Sequence, residues 1–219
     1  PSFLGISMSV NLHLLNAQGK LSKLEDRIVS EFTASLTKIT HLMPVEGVDV
    51  VVSAGSAVLP ETGLGGFCPQ DDLVYLQIDP NNSKLLNNFS EEFVATLGHE
   101  LHHCIRRRKV GYGITLSEAL VTEGLACHFE TELRTTRVPF YAIALSQNEI
   151  RELWDKATLE LSNQSYDHAA WFFGSKSKAI PRHAGYSLGF QAVNEYVNKI
   201  EVPASRLCGA LANDVLHKG

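Results

Sequence analysis

No run in this 219-residue chain approaches the ~18 consecutive apolar residues that a membrane-spanning helix needs, so no membrane span is expected. The opening residues, Pro1-Ser2-Phe3-Leu4-Gly5, have no basic region ahead of an apolar one, so a secretory signal is not expected. They also lack an initiator Met, which leaves the native start unassigned. Cations are not in excess: 19 Lys and Arg against 24 Asp and Glu give a net charge of −5, which disfavours nucleic acid as the main partner. Cysteine is sparse. Cys68, Cys104, Cys127 and Cys208 form no C-x-x-C and have no zinc-finger spacing, so a reduced, cytoplasmic setting is expected. Internal repeats, low-complexity segments and flexible linkers are also missing. What remains is an ordinary globular composition, 44% apolar and 20% charged, long enough for one domain with a sizeable core.

The hydrophobic pattern divides this domain, residues 1–219, into an N-terminal α+β lobe to about residue 110 and a helical lobe from about 111. Ile6, Met8, Val10, Leu12 and Leu14 alternate as in a half-buried strand. Leu24, Ile28, Val29, Phe32, Leu36 and Ile39 mark an amphipathic helix over 21–42. Strands are expected at 48–52 and 73–78, with the Gly-rich stretch from Pro60 to Pro69 between them as a loop. That stretch has no Lys-Ser/Thr and opens no helix, so a phosphate-loop reading is weak. Beyond Glu130 the chain reads helical, over 134–138, 140–145, 147–161, 166–173, 184–200 and 203–216. The aromatic run Trp171-Phe172-Phe173 is expected in the core.

The centre of the chain is the stretch from Ser90 to Glu130, which opens with an amphipathic helix capped by Ser90. It contains His99-Glu100-Leu101-His102-His103, an H-E-x-x-H pattern that chance supplies roughly 0.03 times in a chain of this composition. On a helix, His99 and His103 lie ~6 Å apart along one face, so two imidazoles can reach one metal ion. Glu100 lies off their line, where it can act on a metal-bound water. Arg106 to Lys109 suit the negative end of the helix dipole.

A third ligand is needed. The metzincin pattern would put Gly at 106 and His at 109, and this chain has Arg106 and Lys109. A glutamate on a following helix is the other solution. Val110-Gly111-Tyr112-Gly113 breaks the first helix, and Thr115-Leu116-Ser117-Glu118 is a capping box that opens a second. Glu123 stands in the middle of that second helix beside Gly124, a costly place for both residues unless something else requires them. Glu123 is therefore the expected ligand, and Glu118 is its competitor.

His99-Glu100-Leu101-His102-His103 followed by Thr122-Glu123-Gly124-Leu125-Ala126 resembles the gluzincin metallopeptidases, and more specifically the YjaZ-like family of predicted zinc-dependent proteases. The resemblance runs on through Tyr166-Asp167-His168, Trp171 to Gly174, Pro181-Arg182 and Gly185 to Gly189. It implies a zincin-like α+β fold with zinc in a cleft between two lobes, and peptide or protein as substrate. His99, His103 and Glu123 would hold Zn²⁺, and Glu100 would be the general base for peptide hydrolysis. A Tyr or His of the helical lobe would steady the oxyanion, with Tyr186 the first choice and His183 the second. Arg182 is a candidate for binding a substrate carboxylate. Gly65, Gly66 and Phe67 are candidates for an edge that pairs with extended peptide.

Two other classes stay open: a zinc-bearing regulatory protein with little hydrolysis, and a cysteine hydrolase built on Cys68. No nucleophile motif supports the second.

Overall fold

A computed structural model describes residues 9–134 and 137–216. Ile6 and Met8, expected at the start of the first strand, lie outside the described residues. The chain forms two compact units that divide after Ile105.

The first unit is built on a four-stranded sheet made of β1 (Val10–Leu15), β2 (Val48–Ala54), β3 (Leu64–Gln70) and β4 (Leu73–Ile78), in the order β1-β2-β4-β3. β1, β2 and β4 are parallel, and β3 runs antiparallel to β4 at the edge. Alternation sets the faces: Val48, Val50, Val52, Val74, Leu76 and Ile78 are buried, while Asp49 and Tyr75 are exposed. Helix α1 (Glu25–Leu42) buries Ile28, Phe32 and Ile39.

The expected loop from Pro60 to Pro69 is largely β3. Its Gly and Pro content reads as a breaker, but an edge strand tolerates both, and the ladder to β4 shifts register between Phe67 and Gln70 to accommodate them. Helix α2 (Ser83–Val110) starts earlier than Ser90. Asn82 caps it, accepting hydrogen bonds from the Lys84 and Leu85 amides at 3.0 and 3.1 Å. The helix kinks at Asn88 (φ −125°, ψ 25°), which is why the sequence signal for a start appears there. Ser90 instead donates its hydroxyl to Glu31 on α1.

The second unit is helical around α3 (Leu116–Leu133), whose residues are buried along almost its whole length. The capping box at Thr115 and Glu118 is present. A second one at Ser146 and Glu149 opens α4 (Gln147–Thr158). Asp167 caps the short α5 (His168–Phe173), and α6 (Ala184–Ile200) has the expected bounds. Residues 137–139 are not helical, and the helical turn after Pro139 is a 3₁₀ segment at Phe140–Ile143; Thr135 and Thr136 lie outside the described residues. The helix expected over 203–216 is instead a 3₁₀ turn at Ala204–Arg206 and the short α7 (Ala212–Leu216).

Leu116, Leu120, Trp171, Phe172, Ala184 and Leu188 form one core of this unit. Phe173 is not part of it: it ends α5 with 63% of its surface exposed. Arg106 is no surface charge at a helix end either. It is 2% exposed, donating to the Thr122 hydroxyl at 2.9 Å and to the Cys208 and Ala210 carbonyls at 3.2 and 2.7 Å. Among the described residues no helix is long and apolar enough to cross a membrane.

Candidate metal centre

On α2 the H-E-x-x-H residues are buried: His99 7%, Glu100 6% and His103 5% exposed. Their register on one helix face brings the two imidazoles together, with ring centroids 4.6 Å apart and planes at 88°. Glu100 turns toward the sheet and packs against Gly66 of β3. A Cβ at position 66 would lie 2.4 Å from Glu100 Oε1, 2.6 Å from Cγ and 2.8 Å from Cδ. Only glycine leaves room for this carboxylate. Gly65 faces the chain on another side, where a Cβ would meet the Ala57 carbonyl oxygen at 2.0 Å.

On α3, Glu123 is 5% exposed and accepts a hydrogen bond from the Tyr112 phenol. Burial first, then the Glu123 charge, pushes the phenol well above its ordinary pKa of about 10, so it donates as a neutral group. Tyr166 is likewise raised, to about 12, by burial and then by Glu123. Its hydroxyl lies 2.9 Å from His168 Nδ1. Burial lowers the pKa of His168, while the Glu123 charge acts the other way. Glu118 is taken up by the cap: its Oε2 accepts from the Ile114 and Thr115 amides at 2.9 and 3.0 Å and from the Thr115 hydroxyl at 2.7 Å.

Two groups of side chains among the described residues have the composition and spacing to hold a metal ion, with ligand atoms within 4.8 Å of one another. One is His99, His103 and Glu123; the other is His99, Cys127 and Glu130. The second is less suited. Glu130 already takes Arg134 at 3.2 Å and the Tyr141 phenol. The first is two imidazoles and a carboxylate, a donor set that fits zinc with a position to spare.

Gly124, read from sequence as needing the metal to justify it, has a packing reason. A Cβ there would stand 2.3 Å from the Gly189 carbonyl oxygen on α6, and one at Gly189 would stand 2.1 Å from the Leu120 carbonyl oxygen. The pair lets two helix backbones touch. The cost of Glu123 in mid-helix is not explained this way.

Tyr186 is half-buried, with its ring 5.0 Å from both Tyr141 and Phe172. Its phenol is close enough to Tyr112 to affect that group's ionisation. His183 is buried at the N-cap of α6 in a left-handed conformation (φ 70°), 6.0 Å from the Tyr186 ring. Arg182 is exposed. Cys68 does not resemble a nucleophile: it is buried, 3.3 Å from the Cys104 sulfur, and donates to the Gln70 carbonyl at 2.9 Å. The residues that sequence reasoning passed over are Tyr112, read only as part of a helix break, and the Tyr166–His168 pair, quoted as motif without a role. The signal for Tyr112 was its place between two glycines, directly before the helix that carries Glu123.

On α2, then, two buried imidazoles stand one turn apart and the carboxylate beside them turns to an edge strand. The chain belongs to the family described as "Predicted Zn-dependent protease (DUF2268)", which it matches over residues 26–217. It is also similar to the "Uncharacterized protein YjfC" of Bacillus subtilis (strain 168), with 27% identity over 158 residues covering 66% of this chain. The match covers 51% of that protein, so the chain spans about half the length of its curated relative. No solved structure matches.

Proposed function

We propose that the chain is a zinc-dependent peptidase of gluzincin type, with His99, His103 and Glu123 holding the ion. The observation that carries this reading is the meeting of those three ligand atoms within 4.8 Å, next to a buried Glu100 that belongs to the same helix turn. Zinc, when bound in such a set, acidifies a water toward a pKa of ~7 and polarises a carbonyl.

The protein's own groups supply the rest. Glu100 takes the water's proton on its carboxylate, keeps it in a buried pocket, and delivers it to the leaving amine. Gly66, lacking a Cβ, leaves the space that this carboxylate occupies. The edge position of β3 supports binding of extended peptide by main-chain pairing, with Gly65 and Gly66 of that strand the proposed contacts. Tyr186 is the proposed donor to the developing oxyanion, with His183 second. Arg182, exposed ahead of α6, is proposed to meet a substrate carboxylate.

Metal analysis and a peptide-library digest test the reading together. One zinc per chain is expected, lost when His103→Ala and Glu123→Ala are combined. Glu100→Gln should keep the zinc and lose nearly all hydrolysis, since the amide preserves shape but cannot take the proton. Stoichiometric zinc in the double variant would refute the ligand set. Zinc without cleavage of any library peptide would favour a binding or regulatory protein.

A further inference from the structure

The loop Gly111-Tyr112-Gly113 looks, in sequence, like the gap between two helices. In the structure it is fastened to α3 at two adjacent residues. The Thr122 hydroxyl donates to the Tyr112 carbonyl at 2.9 Å, and the Tyr112 phenol donates to Glu123 Oε1. Backbone and side chain of one tyrosine therefore grip consecutive residues of the helix that carries Glu123.

The grip is itself braced. Arg106 donates to the same Thr122 hydroxyl at 2.9 Å, and the Arg107 guanidinium lies 4.9 Å from the centre of the Tyr112 ring. Gly111 (φ 78°) and Gly113 (φ 102°) take left-handed conformations on either side, turning the chain back so that Tyr112 faces α3. Downstream, the Glu118 cap fixes Ile114 and Thr115. A tyrosine anchored by carbonyl, ring and hydroxyl has little freedom to be elsewhere.

We infer that Tyr112 is a positioning residue for Glu123: its phenol, bound to Oε1, fixes how the carboxylate is presented to a bound metal. The inference rests on the metal-site reading given above. A carboxylate has two oxygens and three torsions to set them. Committing Oε1 to a buried donor restrains the torsions that aim the carboxylate. Partners of this kind commonly govern metal affinity by 10- to 100-fold. Tyr112 has no part in proton transfer here; it acts through Glu123.

The test is zinc affinity, measured by chelator competition on the full chain as wild type, Tyr112→Phe and Glu123→Ala. The expected result is one zinc per chain in the wild type and a Kd about 10-fold or more weaker in Tyr112→Phe, with stoichiometry kept. Unfolding of the metal-free proteins is measured alongside. A merely structural tyrosine would lower metal-free and zinc-loaded stability equally and leave the Kd unchanged, because ligand stabilisation depends only on affinity for the folded state. An unchanged Kd in Tyr112→Phe overturns the inference. Absence of stoichiometric zinc in the wild type overturns the underlying reading instead, so the two failures are distinct. Should Tyr112→Phe not fold, Arg107→Gln removes the guanidinium that braces the Tyr112 ring and keeps the phenol. It is expected to weaken zinc in the same direction, and no weakening there counts against the inference.

Discussion

Gly66 and Glu100 are packed so closely that no side chain of any size fits at position 66 without displacing the carboxylate. The atoms a methyl would strike are Oε1, Cγ and Cδ, all in the outer part of a flexible side chain, and β3 sits at the sheet edge. Gly66→Ala is therefore expected to fold, at a cost within the usual ~1–3 kcal/mol of overpacking. It should keep zinc, since His99 and His103 are untouched, yet lose peptide hydrolysis on the order of 10²-fold, the scale of an ångström-sized misplacement of a reacting group. Steady-state kinetics beside metal analysis checks this. Unchanged kcat would mean either that Glu100 is not the base or that its placement against β3 is immaterial.

A second glycine relationship lies beside the proposed ligand Glu123, where α3 faces α6. At position 124 a methyl would meet backbone, the Gly189 carbonyl group at 2.3 and 2.5 Å, and backbone cannot step aside as a carboxylate can. Gly124→Ala gains about 1 kcal/mol of helix propensity. It should still destabilise the protein, at the upper end of the ~1–3 kcal/mol range for overpacking. A thermal midpoint lowered by several degrees, in metal-free and zinc-loaded protein alike, is the expected outcome. A neutral or raised midpoint would show that α3 and α6 separate without penalty.

These two glycines mark where sequence reading succeeded and where it stopped. Local signals carried well. The capping boxes at Thr115 and Ser146, the strand at Leu73–Ile78 and the helix at Ala184–Ile200 each depend on neighbours within a turn or a pleat. The pairing of His99 with His103 was legible for the same reason, because helix geometry alone brings positions i and i+4 together. What depended on distant partners was not legible. β3 reads as a loop until β4 lies beside it. Gly124 looks wasted until Gly189 is opposite. The role of Tyr112 depends on two left-handed glycines and on a carboxylate eleven residues further on. Asn82, not Ser90, caps α2 because the helix continues through the kink at Asn88, and no local pattern announces that.

Acid stability should report on His128. Its ring stacks on Phe190 at 4.1 Å, and its Nε2 donates to the Phe190 carbonyl at 3.1 Å. Burial lowers its pKa below the ordinary 6.5, the carbonyl opposing this only in part. The sign follows. Below about pH 6.5 the unfolded chain takes up a proton on this residue that the folded chain refuses, so stability falls as pH falls through that value. The decline from this group ends once pH drops below the folded-state pKa, where both states are protonated. Denaturant unfolding at pH 7.5 and pH 5.5 measures it. His128→Gln, which keeps a donor for the Phe190 carbonyl but does not titrate, should show a smaller loss between the two. An equal loss in both proteins would place the acid sensitivity elsewhere.

The remaining prediction concerns Tyr186, half-buried in an aromatic cluster with the buried Tyr141, Phe172 and His183. Its ring is held on two sides at 5.0 Å, so its direction is set by packing, and its phenol is near enough to Tyr112 to raise that group's pKa. Tyr112 in turn donates to Glu123, the proposed third ligand. A neutral phenol suits an oxyanion because it donates without adding charge to the resting site. Tyr186→Phe keeps the ring, so packing against Phe172 and Tyr141 survives. If the hydroxyl donates only in the transition state, kcat should fall by about 10²–10³ with KM and zinc content little changed. If the residue is only part of the core, kcat should hold, and any effect should appear in the unfolding midpoint. His183→Gln is the companion variant. A large loss of kcat there, with Tyr186→Phe near normal, would move the donor role to the N-cap of α6.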